Sequence, residues 1–124
     1  MATRIITYLR SDGNRDTIAQ QRFTCSIWGA RNGAVQVHEI VDLEPLGGPR
    51  PRLRAAIEAV ESGEADAVVV ASLDRIDADM AALVRVIERA AVVAVRDDLD
   101  LRDPWAHAMA LRVLRAVARI GARP

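Results

Sequence analysis

Ala67-Val68-Val69-Val70-Ala71-Ser72-Leu73-Asp74-Arg75-Ile76 is the stretch from which the fold is read. Its first five residues are an unbroken apolar run, the pattern of a strand covered on both faces at the centre of a parallel sheet. The polar residues that follow fall where such a strand ends. Working upstream, Leu53–Glu61 is helical, with Leu53, Ile57 and Val60 on one face and Ser62-Gly63 as its stop. Leu43–Pro49, with two glycines and two prolines, reads as a loop. Ala34–Asp42 alternates as a strand. A helix capped by Asp16 or Thr17 runs to Arg31, its apolar positions being Ile18, Phe23, Cys25, Ile27 and Trp28, and stops at Asn32-Gly33. Arg4–Leu9 is a first strand, rich in β-branched residues. Downstream, a helix from Ala78 to Arg89 precedes a strand at Ala91–Val95, an acidic loop at Asp97–Asp100, and a last helix from Pro104 to Ile120 capped by Asp103. Strand and helix alternate throughout. This predicts one α/β domain over residues 1–124, with a mostly parallel sheet of four or five strands and helices on both faces.

Composition narrows the function classes. The 124 residues are 51% apolar and carry 17 basic against 17 acidic side chains, and every basic residue is arginine. This balance argues against strong, autonomous nucleic-acid binding, which relies on a basic excess. Charged residues interrupt every apolar run too often for a membrane span. The N-terminus enters a strand without a secretory leader, and the lone Cys25 cannot form an internal disulfide, so a cytoplasmic location is expected. His38 and His107 have no Cys or second His at a ligand spacing, and neither metal nor cofactor is expected. The acids Asp97, Asp98, Asp100 and Asp103 are read as a solvated, cap-forming loop. Trp28 and Trp105 are expected to anchor the core or an interface.

In a parallel sheet, ligands collect at the carboxyl ends of the strands. Three arginines are expected there: Arg10 after the first strand, Arg50 before the second helix, and Arg75 after the central strand. Converging guanidinium groups repel, so an anion should lie among them. It is either a ligand phosphate or a protein carboxylate such as Asp42 or Asp74.

The spacing of these residues resembles the catalytic domain of the serine recombinases, the resolvase and invertase family. The matching pieces are Tyr8-x-Arg10, Ile18-x-x-Gln21-Arg22, Gly33, Asp42, Arg50-Pro51-x-Leu53 and Val69-Val70-x-x-Leu73-Asp74-Arg75-Ile76. They span nearly the whole chain in order. The resemblance implies a resolvase-like fold in which a serine attacks a DNA phosphodiester and forms a phosphoserine linkage. It makes Arg10, Arg50 and Arg75 ligands of the phosphate, lets Asp74 orient its neighbours, and places Tyr8, Gln21 and Asp42 behind them. Tyr8 is expected to cover the sheet edge of the site.

The sequence departs from the family at the nucleophile. Two residues after Arg10, where the resemblance places the serine, stands Asp12, and Ser11 comes one residue early. On an extended strand Ser11 points to the opposite face from Arg10 unless a bulge rotates it. A carboxylate at position 12 repels the anion that the site is to bind. The family's further arginine, three residues after Arg75, is replaced by Ala78. The loop Leu46-Gly47-Gly48-Pro49 also looks about one residue short. These lapses predict a degenerate, catalytically impaired site.

Along the last helix, Arg112, Arg115, Arg119 and Arg123 fall within a stripe of about 80° at 100° per residue, and apolar residues fill most of the rest. That exceeds what one core contact needs. Trp105, Met109, Val113, Leu114 and Val117 are assigned to a dimer interface, the role of this helix in the resembled family. The expected function is a dimerising or regulatory recombinase-like module with weak DNA affinity, forming a homodimer or joining another recombinase chain. The alternatives are an active small recombinase domain using Ser11, or an anion-binding flavodoxin-like domain without DNA.

Overall fold

The computed structural model describes residues 2–11, 17–43, 50–77 and 79–121. In chain order they form β1 (Arg4–Arg10), α1 (Ile18–Arg31), β2 (Val35–Asp42), α2 (Leu53–Glu61) and β3 (Ala67–Val70). A 3-10 turn at Leu73–Arg75 follows, then α3 (Met80–Arg89), β4 (Val92–Ala94), β5 (Leu99–Asp100) and α4 (Pro104–Gly121). The sheet order is β2-β1-β3-β4-β5. Its first four strands are parallel and β5 is antiparallel to β4. The valine run is thus the middle strand, and all four residues of β3 are buried.

Three of the four helices begin at a side-chain cap. The Thr17 hydroxyl accepts from Gln20 N–H at 3.1 Å while the Gln20 side chain accepts from Thr17 N–H at 2.9 Å, closing a capping box on α1. Gly33 follows that helix at φ +62°, a conformation that favours glycine. Asp103 caps α4 by accepting from Ala106 N–H at 2.9 Å. Asp79 accepts from Ala82 N–H at 3.1 Å, so α3 begins at Met80 and not at Ala78, which lies outside the described residues.

Two apolar layers hold the sheet. On one face Cys25 of α1, with Ile18 and Trp28, packs on Ile5, Leu9, Val69 and Val93. On the other, Leu53 and Ile57 of α2 and Leu83 and Ile87 of α3 pack on Ile6, Tyr8, Val68 and Val70. α4 lies chiefly against α3 and adds Leu111 and Leu114 to that layer. No helix among the described residues is long and apolar enough to cross a membrane.

Three expectations change. The acidic stretch at 97–100 contains β5, whose two residues extend the sheet and follow Asp98 at φ +53°. Although β2 alternates in sequence, Val35 to Glu39 are exposed on both faces, because this edge strand runs past the cover of α1 and its pairing with β1 is irregular at Ile5/Ile6. Phe23 is 67% exposed, for the inward stripe of α1 is Ile18, Gln21, Cys25, Trp28 and Gly29, a stripe that spends one position on an amide.

The connections also fix where a ligand belongs. From β1 the chain passes through α1 to β2 on one side, then through α2 to β3 on the other side of β1. The strand order therefore reverses between β1 and β3, and the crevice beyond their carboxyl ends is the binding position of such sheets. Burial on this frame sets the energetics. Ile6→Ala is expected to cost about 2–5 kcal/mol in urea unfolding, as a fully buried aliphatic residue does. Val35→Ala, on the exposed edge, is expected to stay within about 0.5 kcal/mol.

Candidate functional site

β1 pairs with β3 only from Ile5 to Thr7, but with β2 as far as Arg10. The crevice opens where β1 and β3 part, and Gln21 fills its backbone edge. Arg10 N–H donates to Gln21 Oε1 at 3.0 Å, and Gln21 Nε2 donates to the Arg10 carbonyl at 2.6 Å. The buried amide thus satisfies both groups that a neighbouring strand would have paired. On the other side Ser11 N–H donates to the Asp42 carbonyl at 3.2 Å, so pairing with β2 continues one residue past the strand.

Tyr8, two residues before Arg10, shares its face of β1. Both are buried, Arg10 to 1% exposure. The Tyr8 hydroxyl donates to Asp42 Oδ2 at 2.8 Å, and Asp42 Oδ1 accepts from Arg52 N–H at 3.2 Å. Burial raises the Tyr8 pKa far above its ordinary value. The hydrogen bond to Asp42 and that carboxylate's charge add to the shift, while Arg10 and Arg50 oppose it. Tyr8 is therefore a neutral donor, and both guanidinium groups lie close enough to act on its hydroxyl. It sits in β1, the second strand of five.

The Leu73–Arg75 turn brings the third arginine. Arg75 is 4% exposed. It donates from Nε and Nη2 to the two oxygens of Asp74, each at 3.1 Å, a fork-to-fork pair. Those hydrogen bonds, with a further one from Ser72 and the charges of Arg75 and Arg96, hold the Asp74 carboxyl below its ordinary range against some desolvation. Arg50 reaches the same turn, donating from Nη1 to the Ile76 carbonyl at 2.6 Å and pairing with Asp77. Arg50 and Arg75 are therefore both tied to the turn that ends β3, and Arg10 and Arg50 both act on the Tyr8 hydroxyl. The internal carboxylates are Asp74 for Arg75 and Asp77 for Arg50, whereas Asp42 is committed to Tyr8 and the α2 entry.

Asp12 lies outside the described residues, as do the loop at Leu46–Pro49, Arg123 and the alternative cap Asp16. Sequence reasoning missed Asp77 and Asp97. Asp77 stands two residues after Arg75, within reach of a search for the arginines' acids. Asp97 Oδ2 accepts from Leu73 N–H at 2.7 Å and pins the start of the turn, a contact over 24 residues that only the fold creates. The other acids near it are also engaged, Asp100 by Arg102 and Asp103 by the α4 cap. Among the described residues no three His, Cys, Asp or Glu side chains are grouped to hold a metal ion.

α4 has three sides. Ala110, Leu111 and Leu114 face the core, so Leu114 leaves the interface set. Trp105 (72% exposed), Met109, Val113, Val117 and Ile120 form an exposed apolar stripe. Arg112, Arg115 and Arg119 lie between the two. Trp28, half-buried, instead stacks under Arg102, 4.9 Å from the ring centre to the guanidinium carbon.

Two substitutions probe this geometry. Gln21→Ala is expected to destabilise by about 1–3 kcal/mol for each Arg10 backbone group left buried without its partner, read by urea unfolding. Asp74, whose folded pKa is lowered, stabilises above its ordinary pKa near 3.9 and loses that contribution as pH falls through the lower folded value. Asp74→Asn should therefore be less stable near pH 7 and show a shallower loss of stability below about pH 4.

Comparison with known proteins follows the same lines. The family model described as "Resolvase, N terminal domain" matches residues 5–123. The N-terminal catalytic domain of TP901-1 integrase shares the fold with a TM-score of 0.81 at 16% identity, over 95% of this chain and 96% of that one. No curated protein matches.

Proposed function

The chain belongs to the resolvase N-terminal domain family, and from that premise we propose that its sheet mouth binds a DNA phosphodiester while its capacity to cut the strand is impaired. What supports this reading is that Arg50 and Arg75 are anchored on the turn that ends β3, at the topological switch point, while Arg10, buried like Arg75, acts with Arg50 on the Tyr8 hydroxyl. A phosphodiester there would exchange solvent for guanidinium groups held in advance by Asp74 and Asp77, and their remaining N–H donors would stabilise charge developing on a transferred phosphoryl group.

The impairment rests on register. β1 keeps its pairing with β2 through Ser11 N–H. An extended strand without a bulge at that point turns successive side chains to opposite faces. Continued alternation would direct Ser11 away from the side that carries Tyr8 and Arg10, and the next residue is an acid. Family membership favours DNA over a free anion as the occupant.

Dimerisation through α4 completes the reading. Five large apolar side chains on one exposed stripe are more than a solvated helix face carries, and they fit a self-complementary two-fold contact. The same stripe would serve association with another recombinase chain, and the domain would then act as a regulatory partner in a cytoplasmic assembly.

Two measurements test this. Incubation with supercoiled DNA, quenched with detergent, is expected to give no covalent protein–DNA adduct, while Arg50→Gln weakens duplex binding roughly 10- to 100-fold, the effect of one charge-assisted contact. A Ser11-linked adduct would instead establish the active-domain alternative. In sedimentation, the parent chain should run as a dimer and Val113→Asp/Val117→Asp as a folded monomer. A monomeric parent removes the homodimer reading.

A further inference from the structure

Beside the sheet mouth, a second group of arginines gathers with fewer acids to balance it. A groove of about 310 Å³ runs between α3 and α4, lined by Arg85 from α3 and by Arg115 and Arg119 from α4, over a floor of Ala81, Val84 and Ala118. Arg115 pairs with Glu88 at 3.3 Å, a partly exposed contact of small energy. Among the described residues neither Arg85 nor Arg119 has an ion-pair partner. Arg85 also lines the neighbouring α2–α3 groove beside Glu88 and Arg50, Arg54 and Arg89, and there each of these three arginines has an acidic partner, so the excess lies on the α4 side.

Guanidinium groups that line one groove repel each other, and flexible surface arginines can swing apart to relieve this unless something holds them. Here the two helices place three of them around a floor of small side chains, which leaves width for an anion between the walls. The chain carries no net charge, so a local excess of this kind is a placed feature and not part of a general basic coat. Arginine offers paired N–H donors in a plane, matched to the oxygens of a phosphate group.

We propose that the α3–α4 groove is a phosphate-binding site separate from the sheet mouth, with Arg85 and Arg119 as its principal ligands and Arg115 as the third. Its occupant is a phosphate ester, either on a DNA strand or on a free nucleotide-like molecule. Arg115 exchanges Glu88 for the ligand at little cost. The site is independent of strand cleavage and of the state of Ser11.

The test is a titration of the isotopically labelled chain with inorganic pyrophosphate, followed by amide and arginine Nε resonances. Saturable shifts are expected on α3 around Arg85 and on α4 from Arg115 to Arg119. Arg85→Gln and Arg119→Gln, both at exposed positions, should each weaken the affinity at least tenfold, and the double variant should abolish saturation with the fold intact by circular dichroism. Parallel titrations with a mononucleotide and with a short duplex identify the source. If the duplex shifts the same resonances, each variant should lower the salt dependence of DNA binding by about one phosphate. If only pyrophosphate and the mononucleotide do so, the ligand is a free phosphate compound. Absence of α3–α4 shifts with every probe, or affinities unchanged in the double variant, overturns the proposal. Loss of DNA binding at the sheet mouth alone would count against the preceding reading and leave the pyrophosphate result standing as the measure of this groove.

Discussion

The parting of β1 from β3 after Thr7 is the constraint on which the rest depends. A parallel sheet can expose a crevice only where neighbouring strands stop pairing, and each backbone group released there must find another partner or remain buried at a cost. Gln21 meets that demand for Arg10, taking both its N–H and its carbonyl. Because a strand residue directs those two groups to the same side, this bond also shows that the Arg10 backbone faces the opened edge, while Ser11 turns back to β2. One amide on α1 therefore closes the edge of β1 where β3 no longer pairs with it. It also explains why a helix whose inward stripe could have been wholly apolar carries a polar side chain at its centre.

The arginines at the mouth follow from the same opening. A buried guanidinium is tolerated only with close anionic or dipolar partners. Arg75 has Asp74, one residue away in a 3-10 turn, and Arg50 has Asp77 and a carbonyl from the same segment. The turn that ends β3 is thus the shared anchor of two arginines from different parts of the chain. Asp97, from the β4–β5 corner, holds that turn by its first amide. Contacts from α2 and from the β4–β5 corner thus converge on the one turn that ends β3.

Much of this was legible in sequence, for identifiable reasons. The valine run between turn residues has few readings other than a central parallel strand, and the alternation of elements around it leaves few topologies. Arg10 and Arg75 stand out in the sequence because they follow strand ends, and Arg50 because it precedes α2. Other features depend on faces, which periodicity does not assign. Phe23 fits a helical pattern as well as Cys25 does, and only the position of the sheet decides which is buried. Leu114 belongs to the apolar arc of α4, but that arc has two sides, and contact with α3 claims it for the core. β5 is too short to leave a pattern, and Asp97 reaches its partner through tertiary contact alone. The resemblance supplied Gln21, which local reading treats as an interruption of an apolar stripe.

The three-sided organisation of α4 joins the two proposed surfaces. Its exposed apolar residues, from Trp105 to Ile120, cover an arc of about 120° at 100° per residue, and Arg112 and Arg119 border that arc on one flank. Two copies meeting along the apolar stripe would carry these guanidinium groups toward the rim of their contact. Rim charges alter association through repulsion that salt and bound anions reduce. A phosphate held by Arg85 and Arg119 would neutralise part of that charge without occupying the stripe itself. On those two proposals, anion binding and self-association through α4 would be cooperative by electrostatics alone, and by linkage each would favour the other to the same degree.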